Sequence, residues 1–261
     1  FVKTGTGLLQ LSGANEFAGG LAVQGGGIVL GANSTPSQGG VGFTGSPLGG
    51  AGVTMAAGTT LLVNNSDRTV GNTLTFAGTT DLGNAVRTLT TNVDTTISGD
   101  IDPSSMTRLS GGLIKLGSAN LTLSGNNAFK GATTVSAGGL ITIGNSRLTN
   151  SYSVTVASGA TLTVGGNETL HPIFNSGTIV NNGVITSGLA TATSLDSVVS
   201  GSGAFIKEGA GTLTLSGANT FAGATVVDAG TLAVSADANF GAAPLAANAA
   251  AITLDGATLN A

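Results

Sequence analysis

Gly209-Ala210-Gly211-Thr212-Leu213-Thr214-Leu215-Ser216-Gly217-Ala218-Asn219-Thr220-Phe221-Ala222-Gly223 is the stretch on which the fold turns. Within it Thr212-Leu213-Thr214-Leu215 alternates strictly, and a period of two marks a β-strand with one buried face. Threonine suits the outward positions of a pleated surface. The glycines before the run and the Ser-Gly-Ala-Asn after it are turn chemistry, so the strand is short and bounded by corners on both sides.

The stretch recurs. Three segments align without gaps, Lys3 to Phe17, Lys115 to Phe129 and Lys207 to Phe221. Each carries apolar residues two apart (Leu9 and Leu11, Leu121 and Leu123, Leu213 and Leu215) followed by Ser12-Gly13-Ala14-Asn15, Ser124-Gly125-Asn126-Asn127 or Ser216-Gly217-Ala218-Asn219. The register continues through Val23, Val135 and Val227, then Gly26, Gly138 and Gly230, then Ile28, Leu140 and Leu232. A weaker echo follows each copy, as in Val154-Thr155-Val156 leading to Gly159-Ala160-Thr161-Leu162. The spacer from Lys3 to Lys115 is longer than that from Lys115 to Lys207, while the copies themselves keep one length. Fixed motifs with elastic spacers predict a solenoid whose rungs lengthen through loops.

Composition agrees. The 261 residues include 44 glycines, no cysteine, no tryptophan and one histidine; only 8% are charged and 4% aromatic. An ordinary globular domain carries about 25% charged residues. A thick sandwich or barrel core needs large side chains that this chain lacks. A right-handed, single-stranded parallel β-helix, an all-β solenoid, stacks each strand on its counterpart about 4.8 Å away and fills its bore with small aliphatic residues. Glycine and asparagine serve its corners, and Asn15, Asn127 and Asn219 are placed to bond the backbone of adjacent rungs with inward amides. At about 20–24 residues per turn the chain makes roughly 11–13 rungs, a rod of some 50–60 Å by the stacking distance. The whole of 1–261 reads as one continuous segment, with super-repeats starting near 1, 113 and 205. Loop excursions are expected near 31–50 and 236–251; Ala242 to Ala251, which contains Pro244, reads as irregular. The chain opens in mid-pattern at Phe1-Val2-Lys3 and reads as a mature or excised piece of something longer.

The segment Gly209 to Gly223, continued through Ala229-Gly230-Thr231-Leu232, resembles the passenger-associated β-strand repeat of bacterial autotransporters. Copy one departs from it with Leu8-Leu9-Gln10-Leu11, and copy two with Lys130 after the phenylalanine and Ser118-Ala119-Asn120 before the strand. The resemblance implies a β-helical passenger, extracellular or on the cell surface of a Gram-negative bacterium, exported through an outer-membrane barrel. The barrel would be the chain's only membrane partner and is not in this sequence. The repeat is structural, so no active-site residue is implied.

The reactive residues point the same way. Without cysteine there is no disulfide framework, thiolate metal site or cysteine nucleophile. A net charge of −4 with scattered cations excludes a phosphate-tracking stripe, and with it nucleic acid. His171, in Leu170-His171-Pro172-Ile173-Phe174, has no second histidine or carboxylate cluster and reads as a packed ring, not a general base or metal ligand. Asp100 and Asp102 sit two apart, as an acid/base pair or calcium site would, with Arg108 as the nearest cation. Before Pro103 they read as a solvated turn. Gly25-Gly26-Gly27 and Gly39-Gly40 lack the ending of a phosphate loop and read as turns. Asn33-Ser34-Thr35, Asn64-Asn65-Ser66 and Asn167-Glu168-Thr169 match the glycosylation pattern at a frequency expected of such a composition. Lys3, Lys115 and Lys207 are expected at solvent-exposed rung edges, where lysine limits sideways aggregation. Gly31 to Gly50, with Pro36, Phe43 and Pro47, is the longest candidate binding loop.

The sequence therefore predicts a non-enzymatic structural or adhesive passenger with no catalytic, cofactor or metal residues. Its partners would be a host, neighbouring-cell or glycan surface. The alternatives are a self-assembling filament subunit that associates end to end and, behind it, a β-helical polysaccharide lyase or hydrolase built on Asp100 and Asp102.

Overall fold

The computed structural model describes residues 1–12, 21–30, 35–36, 43–45, 53–56, 59–63, 74–76, 80–81, 86–91, 94–97, 112–124, 127, 131–143, 148, 151–166, 178–242 and 252–261. The chain forms two compact units, Phe1–Ala132 and Thr133–Ala261. Both are parallel β-solenoids, as the strand period predicts. Among the described residues the only helical turn is the 3-10 helix Asp237–Phe240.

In the first unit, Leu8–Leu11, Gly27–Leu30, Thr60–Val63, Val86–Thr91 and Gly112–Leu116 stack as one parallel sheet. Val2–Lys3, Leu21–Val23, Val53–Met55 and Thr80–Asp81 form a second, and Leu74–Phe76, Thr95–Ile97 and Asn120–Leu123 belong to a third. One pair breaks the pattern: Thr35–Pro36 runs antiparallel to Phe43–Gly45, within the 31–50 segment. Rung length varies widely. Leu8 pairs with Gly27 and Gly27 with Thr60, so the second of these rungs is much the longer. Thr60 then pairs with Thr88, and Thr88 with Ile114, by steps of intermediate length.

The second unit has three sheets. Thr133–Val135, Ser153–Val156, Thr178–Asn181 and Val198–Ser200 line one. Gly139–Thr142, Thr161–Gly166, Val184–Leu189, Ala204–Lys207, Thr225–Val227 and Ile252–Leu254 line another; Thr193–Leu195, Thr212–Leu215, Thr231–Val234 and Thr258–Asn260 close the third. Rungs here are mostly even. Ile179 pairs with Val199, Phe205 with Thr225 and Leu195 with Leu215, the same step each time. The turn length expected from the sequence thus describes the central rungs of this unit, whereas most rungs of the first unit exceed it.

The alternation read from the sequence decides what is inside. Leu213 and Leu215 are buried and Thr212 and Thr214 half-buried, and the same alternation runs through Thr231–Val234. Leu162 stacks on Ile185 and Ile185 on Phe205, all essentially inaccessible. Each such side chain contributes about 1.5–3 kcal/mol by leaving water. Phe205 meets Phe221 inside the bore with ring centroids 6.5 Å apart, an aromatic contact among buried residues that are mostly Leu, Ile and Val in the described part of the chain.

Candidate functional site

The repeat places buried polar side chains at its corners, Lys207 and Asn219 among them. Lys207 ends the strand Ala204–Lys207, whose pattern buries Phe205 and Lys207 together. The side chain is 0% exposed. Its ammonium donates to the carbonyl oxygen of Gly209 and, across to the next rung, to that of Ala229 at 3.2 Å. Lys115 is equally buried and donates to the carbonyls of Leu116 and Gly117, both at 2.9 Å. Lys3 is half-buried and donates to Thr4, Gly5 and Gly25 at 2.7, 3.0 and 3.1 Å. Lys3 and Lys207 thus share one geometry, reaching a near corner and a carbonyl 22 residues ahead.

The expectation that these lysines sit at exposed rung edges is therefore wrong. The signal for the two buried lysines is the period itself: Leu113 and Phe205, both apolar, precede Lys115 and Lys207 by two, so the lysine shares the inward face. An inward ammonium is tolerable only because backbone carbonyls at the corner accept hydrogen bonds from it. Burial lowers the Lys115 pKa to about 8, an effect partly opposed by the Asp94 carboxylate. Burial also lowers that of Lys207. Neither amine is available for chemistry, because the side chains are enclosed and their donors engaged.

Glycine completes the corner. Gly26, Gly138 and Gly230, aligned in the three copies, have φ of 64°, 64° and 71°, in the left-handed region that L side chains rarely adopt. A Cβ on Gly230 would stand 2.4 Å from the Gly209 carbonyl oxygen and 2.5 Å from that of Gly211. On Gly26 it would stand 2.1 Å from the carbonyl oxygen of Gly7. The glycine lets one corner settle directly on the one beneath.

Asn219 acts as the sequence suggests. Its Oδ1 accepts from the Val199 amide of the preceding rung at 2.8 Å, and its Nδ2 donates to the Asn239 carbonyl of the following one at 2.6 Å. Asn127 is also buried, whereas Asn15 lies outside the described residues. The alignment missed two further amides. Asn239 accepts from the Ser235 and Ala236 amides and donates to the Gly217 carbonyl at 2.9 Å, and Asn181 donates to the Ala204 carbonyl at 2.8 Å. The local cue for Asn239 was Ala238-Asn239-Phe240-Gly241, a shortened Ala-Asn-Thr-Phe-Ala-Gly.

His171, Asp100, Asp102, Arg108, Gly39-Gly40 and the three Asn-X-Ser/Thr asparagines fall outside the described residues, as do most of 31–50 and all of 243–251. Among the described residues no three acidic or histidine side chains group as a metal site. Glu208, Asp228 and Asp255 follow one another in register on the outside, one position after Lys207, Val227 and Leu254.

Stacked parallel rungs with buried lysine and asparagine side chains at their corners define a solenoid repeat protein. Residues 1–30, 113–141 and 205–234, about a third of the chain, match the Passenger-associated-transport-repeat. The chain is similar to the Adhesin BmaC autotransporter of Brucella suis biovar 1, 39% identical over 75 residues that make up 29% of this chain and 2% of the adhesin. No solved structure matches the chain.

Proposed function

We propose that the chain is a non-catalytic structural and adhesive segment of a type V secreted protein, displayed outside a Gram-negative cell. The observation that carries this reading is the use of the repeat's polar residues: Lys207, Asn219 and Asn239 are turned inward to tie rung to rung. A residue committed in this way maintains a scaffold and leaves recognition to outward rows and loops. The three transport repeats and the adhesin relative support the same assignment.

The reading is tested in two parts. Placed behind a secretion signal and ahead of a translocator barrel, the chain should appear on intact cells, where an antibody to it binds without permeabilisation. Beads coated with the purified chain should attach to epithelial monolayers or glycan-coated surfaces more than beads coated with an unrelated protein. Display without attachment to either surface would remove the adhesive role, and retention inside the cell would remove the passenger role.

A further inference from the structure

The sheet of Thr193–Leu195, Thr212–Leu215, Thr231–Val234 and Thr258–Asn260 buries one parity of its residues and turns the other outward. Register sets the outward residues in two straight columns. Thr212 pairs with Thr231 and Thr231 with Thr258; beside them Ser194 pairs with Thr214, Thr214 with Ala233 and Ala233 with Asn260. All of them are half-buried or exposed, none is charged and none is aromatic. Every one except Ala233 ends in a hydroxyl or an amide, and the threonines present a methyl beside the hydroxyl. The outward column of the neighbouring sheet lacks this regularity, running Thr163, Thr186, Ile206, Val226. The array is fixed before any ligand arrives: Thr212–Leu215 and Thr231–Val234 are paired on both edges, and Leu213, Leu215 and Leu232 anchor them in the bore.

We propose that this face binds the surface of ice. Its columns repeat at about 4.8 Å from rung to rung and its outward neighbours on one strand lie about 6.6 Å apart. Both spacings are close to those between rows of water oxygens on a prism face of hexagonal ice. A hydroxyl donates and accepts as a water molecule does, so the hydroxyls take lattice positions while the methyls sit between the rows. Charge selects the same occupant: a lattice of neutral water meets a neutral face, whereas a charged side chain keeps a water shell of its own and breaks the match. A glycan would call for an aromatic side chain on which a sugar ring could stack, and these columns carry none. Chains held on a growth front force the ice to bulge between them, and a convex front grows only at a lower temperature, so growth slows. No bond is made or broken in this activity, and it stands whether or not the chain is adhesive.

The experiment freezes a dilute solution of the whole chain slowly onto a cold probe and measures the protein in the ice and in the remaining liquid. Crystal size in an annealed frozen film is the second readout. The chain should be enriched in the ice relative to an unrelated protein, and should keep the crystals of the film small. Thr231→Lys, at the centre of the array, should lose both effects while its circular dichroism and urea midpoint stay those of the wild type, and Thr214→Lys should do the same. Thr163→Lys, outward on the neighbouring sheet of the same unit, should keep both. Thr231→Val retains the methyl and the shape and should keep most of the enrichment, whereas Thr231→Ser should lose most of it. Exclusion of the wild-type chain from ice would overturn the proposal. So would enrichment that survives Thr231→Lys and Thr214→Lys, or that Thr163→Lys removes equally. Retention on crystalline cellulose or chitin, abolished by Thr231→Lys and without enrichment in ice, would overturn it in favour of a glycan.

Discussion

The central rungs of the second unit advance by one repeated step, from Ile179 to Val199, Leu195 to Leu215 and Phe205 to Thr225. Those of the first unit do not: Leu8 to Gly27 is a short step, Gly27 to Thr60 a long one, and Thr60 to Thr88 and Thr88 to Ile114 lie between. Parallel pairing survives both regimes. Thr88 to Thr91 still oppose Thr60 to Val63 across one of the lengthened rungs. A strand ladder needs only that its strands return to the same place; it is indifferent to what the chain does between them. The bonds between corners are more demanding. Asn219 reaches an amide 20 residues behind it, and Lys207 a carbonyl 22 residues ahead, only because the intervening chain has that length. Even rungs repeat such ties at one spacing, whereas the uneven rungs are tied over other spans, as where Thr91 donates to the Ala119 carbonyl and the Asn120 amide donates to Asp94.

The glycine corner puts this contrast under the greatest stress. Gly230→Ala should cost the second unit about 3 kcal/mol, through its positive φ and its contact with two carbonyls, as read by urea denaturation. Gly159→Ala, at φ of 77° with nothing within 4 Å, should cost only about 1 kcal/mol. Equal losses would show that the corner contact carries no energy. Asn219→Ala should cost about 2 kcal/mol, because it orphans a buried amide and a buried carbonyl.

Two smaller effects probe the same difference. Lys115 binds fewer protons folded than unfolded between pH about 8 and its ordinary 10.5, so its contribution to stability increases as pH rises through that window. Denaturation midpoints measured across this range should climb in the wild type and climb less in Lys115→Met. Four Gly/Ser residues inserted between Ser104 and Ser105, in the lengthened rung that joins Thr88 to Ile114, should cost less than about 1 kcal/mol. A loss as large as that of Gly230→Ala would mean that the long rungs are as tightly tied as the short ones.

Much of this architecture was legible beforehand. The strict alternation at Thr212–Leu215 marks that strand and its buried face. The alignment of Gly26, Gly138 and Gly230 marked positions where only glycine fits, and the inward amide of Asn219 followed from the turn chemistry. Surface preference puts these lysines outside, whereas parity puts Lys115 and Lys207 in the bore. A solvated ammonium is the usual state of lysine, but the residue two before it already pointed to the bore. Asn239 was missed for a different reason: its corner lies between a strand and a helical turn, where no alternation flags it.

The amino-acid order was enough to set the period, the three copies, the positions of the special glycines and, by parity, the side of the sheet on which each residue stands. These are local properties, fixed by backbone sterics and the pleat. What those side chains meet depended on the folded chain. The far partner of Lys207 is 22 residues away and that of Asn219 is 20 residues away, so each bond depends on the length of a whole rung and on the register in which the next rung lands. A lysine facing a bore is a liability in the chain as written; it becomes a tie only once the fold returns a carbonyl to its tip.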